Sequence, residues 1–176
     1  MVRPKDKQVY ATPLATGEVF IDASPEEAYE IVSDPVRMAG FAEEFYKARW
    51  IRGAKGPAVG SWFSGSNRNG WRRWVTHAQV TEAEPGRRFA FRVRFLVPIS
   101  RWEYEITSAG DGCCVTVRNW LRAPLWFVPI AILITGQPDR PTTNKNNIAT
   151  TLARLKAHLE SPVSTIEDRR RPEWTV

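Results

Sequence analysis

The side chains placed for chemistry in this sequence are mostly amides, hydroxyls and phenols rather than charged groups. Tyr104 falls on the inward side of an alternating run and is the one inward residue that could act as an acid, with Asn67, Thr76 or Arg72 assisting. No other catalytic candidate emerges. Asn67, Thr76, Tyr104 and Asn119 are the inward polar residues. Each costs about 1–3 kcal/mol if buried without a partner, so each needs a backbone group, a water or a ligand. Arg68 and Arg72 flank Asn69-Gly70, where a guanidinium near a cavity mouth could hold a carboxylate or phenolate. Plain surface charge is the other reading of both. His77 falls on an outward strand face and His158 beside a helix stripe. No His/Cys/carboxylate group has metal-ligand spacing, and no phosphate loop, nucleophile elbow or dinucleotide fingerprint occurs. We therefore expect no metal and no cofactor.

Those residues need elements to position them, and 176 residues suffice for one domain with a substantial core. The net charge of +6 comes partly from basic ends (Arg3, Lys5 and Lys7; Arg169, Arg170 and Arg171). No basic helix or nucleic-acid motif accompanies it, which argues against a nucleic-acid partner. The adjacent Cys113 and Cys114 would point to opposite faces of a strand, a poor geometry for a disulfide or a metal pair. That suits a reducing compartment. With no apolar segment after the charged N-terminus, the expected location is cytoplasmic.

Alternation and turn signals give strands over residues 18–23, 46–51, 60–68, 72–83, 87–95, 101–108 and 113–121. Asn69-Gly70, Pro85-Gly86, Pro98 and Gly110-Asp111-Gly112 read as the breaks. Ser24-Pro25-Glu26-Glu27 starts a short helix, and Asp34-Pro35 ends it and opens a second. From about Thr143 to Glu160, Ile148, Leu152, Leu155 and Leu159 recur at helical spacing and form one apolar stripe. Residues 1–14 and 161–176 read as flexible tails around a single 15–160 domain.

On the strands, alternation turns a concentrated aromatic set inward. Seven rings (Phe63, Trp74, Phe89, Phe91, Phe95, Trp102 and Tyr104) share one face, more than one helix stripe needs to cover it. Such a face either packs as ordinary core on Ile148, Leu152 and Leu155 or lines a cavity for an apolar ligand. On the second reading the ligand contacts are those rings with Asn67, Thr76, Val117, Asn119 and Leu152, and the mouth is marked by Arg68, Arg72 and Trp126. Gly65, opposite bulky rings, leaves room in the sheet or marks a bulge. Residues 125–135 are apolar almost all round, which fits a buried cover, a lid over the mouth, or a patch for transient contact with a membrane surface.

The element order and several local strings carry a resemblance. Residues 23–29 (Ala-Ser-Pro-Glu-Glu-Ala-Tyr), Asp34-Pro35, Glu84-Pro85-Gly86-Arg87-Arg88-Phe89 and Phe63-x-Gly65-x-Asn67-Arg68-x-Gly70 followed by Trp74 resemble the SRPBCC superfamily of START-like and polyketide cyclase/dehydrase-like proteins. The resemblance covers about residues 15–160 and implies an α+β helix-grip fold. That fold has a curved antiparallel sheet of about seven strands around a long C-terminal helix, two short helices after the first strand, and a cavity between sheet and helix. It implies binding of a small hydrophobic or amphipathic molecule of lipid, isoprenoid or polyketide type. The alternatives are a cyclase/dehydrase acting in the same cavity and, second, an interaction protein like the chaperone-activating members. The last predicts a filled cavity.

Overall fold

The computed structural model describes residues 12–161. Seven strands form one antiparallel sheet: β1 (Ala15–Ile21), β2 (Phe45–Ile51), β3 (Trp62–Asn69), β4 (Arg72–Glu84), β5 (Arg88–Arg94), β6 (Pro98–Ala109) and β7 (Gly112–Leu121). Their order across the sheet is β1-β7-β6-β5-β4-β3-β2, so consecutive strands from β2 to β7 are hairpin neighbours and β1 closes beside β7. Between β1 and β2 lie α1 (Pro25–Val32) and α2 (Pro35–Met38). After β7 a 3-10 turn (Leu125–Phe127) leads into α3 (Val128–Thr135), and α4 (Arg140–Leu159) ends the described chain. This is the expected α+β helix-grip architecture. The tail segments 1–11 and 162–176 lie outside the described residues. Leu14 already donates its backbone N–H to Asn119 O, 2.9 Å away.

Local chemistry explains the boundaries. Ser24 Oγ accepts from Glu27 N at 3.2 Å, while the Glu27 carboxylate accepts from Ser24 N at 2.8 Å, a reciprocal cap on α1. Asp34 Oδ1 accepts from Val36 N and starts α2. Pro98, read as a break, is instead the first residue of β6, a strand position that needs no N–H. Helix α4 begins three residues before the expected Thr143, because Asp139 accepts from Thr142 N and a proline sits in the first turn. The apolar stripe does not reach that polar first turn.

Two features set the shape of the interior. The β4–β5 register shifts between Val80 and Glu82, so Val80 and Ala83 both face inward while Glu82 faces out. A bulge of this kind bends the strand and tightens the curl of the sheet. The second feature is Gly17 on β1. A Cβ there would stand 2.6 Å from Ile148 Cγ2, so its absence lets α4 settle directly onto β1. The stripe Ile148, Leu152 and Leu155 is buried in that contact and its surroundings. Each such side chain contributes about 1.5–3 kcal/mol. The helix therefore lies along the sheet's edge strand, and the aromatic wall of β3 to β6 is left partly uncovered.

The outward face is polar and organised. Arg88, Glu105, Arg118, Glu103, Arg101 and Glu82 form a closed ring of alternating charge across β4 to β7, with N–O separations from 2.6 to 3.5 Å. Arg101 also lies over the Trp120 ring, 5.6 Å from its centroid. Hydrogen bonds from Arg118 and then Arg88 hold the Glu105 carboxyl below the usual range.

Candidate functional site

The inner face of the sheet divides into a packed end and an open end. At one end Val80, Ile106 and Val115 are buried with Ala28, Ile31 and Val32 of α1 in a continuous core. Toward the other end the wall, α4 and α3 enclose a cavity of about 460 Å³. All seven of the inward rings line it, with Asn67, Thr76, Val117 and Leu152. The rings brace one another: Phe63 meets Trp50 and Phe91 edge-on at 5.7 and 5.2 Å, and Phe91 meets Phe89 at 5.7 Å.

Three of the expected site residues stand elsewhere, and a fourth, Arg68, lies at the mouth as expected. Asn119 is fully buried and off the cavity wall, because its Nδ2 donates to Arg101 O and its Oδ1 accepts from Asn144. Trp126 is 64% exposed and points away, while the 3-10 turn swings its neighbour Phe127 onto the wall. Arg72 donates through Nε to Leu133 O at 3.3 Å and holds the C-terminal end of α3, with Asn69 Nδ2 donating to Thr135 O at 2.8 Å beside it. Arg68 lines a separate polar recess and lies 5.2 Å from the Tyr46 ring centroid. That recess shares Glu43, Glu44, Gln137 and Asn147 with the cavity wall, so it forms a vestibule.

Gly65 makes room for a ring rather than marking a bulge. A Cβ there would stand 2.5 Å from Phe45 Cε2, and Phe45 itself lines the cavity. The irregularity in that strand pair lies between Phe45 and Lys47 instead. Helix α3 is not a buried cover: none of its residues is buried. Val128, Ala131, Ile132 and Thr135 face the cavity and Leu133 faces solvent, so the apolar composition serves two surfaces.

The polar groups of the cavity sort by whether they are already engaged. Asn67 Nδ2 donates to Gly65 O and to Thr76 Oγ1, both at 3.2 Å, so these two side chains brace the sheet. Glu44 accepts two bonds from the Arg140 guanidinium at 2.9 and 2.8 Å, and Glu43 pairs with Arg154, so both mouth carboxylates are neutralised. Tyr104 differs. It is 8% exposed and at the centre of β6, flanked by Phe89 and Val117, and its hydroxyl has no hydrogen-bond partner among the described residues. Burial pushes its pKa up, so it stays a neutral phenol, a donor rather than a base. His77 and His158 are exposed, the latter against Phe41 at 5.2 Å between ring centroids. Cys113 and Cys114 are free thiols, and among the described residues no group of three His, Cys, Asp or Glu side chains could hold a metal.

Residues 12–160 match the family model for polyketide cyclase/dehydrase and lipid transport proteins. The chain belongs to this family. Within the wider SRPBCC superfamily, membership supports a ligand-binding or cyclase role. No curated protein matches the sequence. Among solved structures it is similar to a protein of Chromobacterium violaceum at 16% identity (TM-score 0.63, covering 83% of this chain and 96% of that one). It is also similar to the di-domain ARO/CYC StfQ from the steffimycin biosynthetic pathway at 12% identity (TM-score 0.67, covering 91% of this chain and 55% of that one). A Polyketide_cyc-like protein of Corynebacterium glutamicum is 21% identical (TM-score 0.53, covering 91% and 97%). These likenesses describe the fold.

In this member of the polyketide cyclase/dehydrase and lipid transport family, sequence reasoning missed the contribution of α4 to the polar side of the cavity. Asn144, Asn147 and Thr151 line it beside Ile148. Their spacings of three and four put them on one helical face with the apolar stripe, a signal the sequence carried. Glu44 and Arg140, 96 positions apart, had no such signal. Among the described residues, no helix is long and apolar enough to cross a membrane.

Proposed function

We propose that this protein binds one small, largely apolar molecule of lipid, isoprenoid or polyketide type in the cavity, with a carbonyl or hydroxyl oxygen of the ligand accepting from Tyr104. The unpartnered Tyr104 hydroxyl on an otherwise aromatic wall carries this reading. The hydroxyl opens onto the cavity, where a ligand oxygen can accept its hydrogen bond. The volume of about 460 Å³ falls in the range of small-molecule sites. Charged headgroups fit the vestibule better than the interior, since among the described residues the interior has no unpaired charge to meet them.

The family description and the fold likeness to an ARO/CYC protein favour one second reading, a cyclase/dehydrase working in the same cavity. There Tyr104 would polarise a ligand carbonyl as a hydrogen-bond donor, with pocket shape directing the reaction. The interaction-protein alternative required a filled cavity, and the open space beneath Trp74, Phe91 and Trp102 argues against it.

The test is organic-solvent extraction of natively purified protein, with mass spectrometry of the extract and Nile red uptake by wild type and Tyr104→Phe. A stoichiometric oxygen-bearing apolar molecule, lost on Tyr104→Phe while the fold is kept, supports binding. An empty extract with no Nile red uptake overturns it.

A further inference from the structure

An exposed apolar surface lies on the outer side of α3, the helix that walls the cavity. Elsewhere exposed apolar side chains are scattered singly, which is ordinary for a protein surface. At one end of the sheet they gather. Leu125 is 89% exposed, Trp71 81%, Leu133 76% and Leu96 75%. The antiparallel order puts the β3–β4 turn, the β5–β6 turn and the exit of β7 at that same end. Side-chain contacts tie the three together: Arg72 reaches Leu133 O, and the Phe95 ring lies 6.3 Å from that of Phe127.

The exposed apolar tip carries charge of one sign, and the nearby carboxylates Glu43 and Glu44 are paired with Arg154 and Arg140. Residues 69–73, 94–97 and 121–136 contain Arg72, Arg73, Arg94 and Arg122, and no aspartate or glutamate. An apolar tip rimmed by cations and carrying exposed tryptophans is the composition of a surface that lies in a membrane interface. Helix α3 has eight residues, enough to lie in such an interface and far too few to cross one.

We propose that this end of the molecule docks on a bilayer bearing anionic headgroups, with Leu125 and Leu133 entering the acyl boundary and Trp71 and Trp126 at headgroup level. The arginines supply the attraction to lipid phosphates. Charge complementarity selects a membrane over a second copy of this chain, because a symmetric dimer through this face would set two cationic rims against each other. Docked in this way, the helix that walls the cavity faces the lipid phase. This proposal goes beyond ligand binding and holds whether or not the cavity is occupied.

The test is flotation of the full chain with phosphatidylcholine vesicles, with and without phosphatidylglycerol. The expected result is association with the mixed vesicles, weak association with the neutral ones, and a fall as salt rises. Leu125→Asp combined with Leu133→Asp abolishes flotation, and Arg94→Ala weakens it roughly fivefold. These side chains are exposed, so Nile red uptake and thermal unfolding stay as in wild type. Absence of flotation with both vesicle types overturns the proposal, as does flotation unchanged by the Asp pair. Sedimentation equilibrium showing a dimer that the Asp pair dissolves, with no vesicle binding, assigns the face to a second copy and overturns it as well.

Discussion

Asn144 of α4 donates through Nδ2 to Oδ1 of Asn119 of β7 at 2.7 Å, with both side chains buried. This bond fixes the N-terminal half of the gripping helix against the sheet, where the apolar stripe has not yet begun. Asn119 in turn donates to Arg101 O, so one buried amide joins the helix to β7 and β6. Asn119→Ala strands both Asn144 Nδ2 and the Arg101 carbonyl and should cost about 1–3 kcal/mol. Urea unfolding measures it. A double-mutant cycle with Asn144→Ala should show non-additivity, because the two residues share the bond.

Tyr104→Phe removes a hydroxyl that bonds nothing in the described protein. Stability near neutral pH should therefore change by less than about 1 kcal/mol, while affinity for an oxygen-bearing ligand falls. The phenol's pKa is raised by burial, so the folded chain holds this proton more tightly than the unfolded one. Its contribution is complete below about pH 10 and is lost as pH rises further. Urea titrations at neutral and alkaline pH should show a shallower alkaline loss in Tyr104→Phe than in wild type.

The charge ring on the outer face gives the opposite pH dependence. Hydrogen bonds from Arg118 and Arg88 lower the Glu105 pKa, so its contribution is present above the usual carboxylate range and is lost as pH falls through the depressed value. Glu105→Gln should flatten the acid limb of stability against pH. Glu103, with a side chain 13% exposed, bridges Arg101 and Arg118. Glu103→Gln should cost about 1.5–3 kcal/mol by denaturant unfolding, more than a lone surface ion pair.

Gly65→Ala tests how the cavity was made. Its Cβ would collide with the Phe45 ring, and the ring's free direction is into the cavity. We expect a loss of about 1–3 kcal/mol and a reduced uptake of Nile red. Uptake equal to wild type would mean that Phe45 moves outward and the cavity wall lies elsewhere.

The amino-acid sequence by itself determined the strands, the capped first helix, the long final helix and the inward set of rings. Period-two alternation and cap chemistry are local, and they survive whatever the rest of the chain does. It also placed Tyr104, Asn67 and Thr76 on the inner face, because each lies on a regular strand segment on the side the rings share. Tertiary structure decided which of these residues bound open space. Asn119 has the same parity as Val117, yet it is taken up by Asn144, a partner 25 positions away. Trp126 and Phe127 are equally apolar, and only the 3-10 turn selects which one faces the cavity. The cavity itself follows from Gly17 drawing α4 onto the edge strand and Gly65 admitting Phe45, two close approaches between elements remote in sequence. Alternation says which way a side chain points; only packing says what it meets, because that depends on distances between elements that no local pattern encodes.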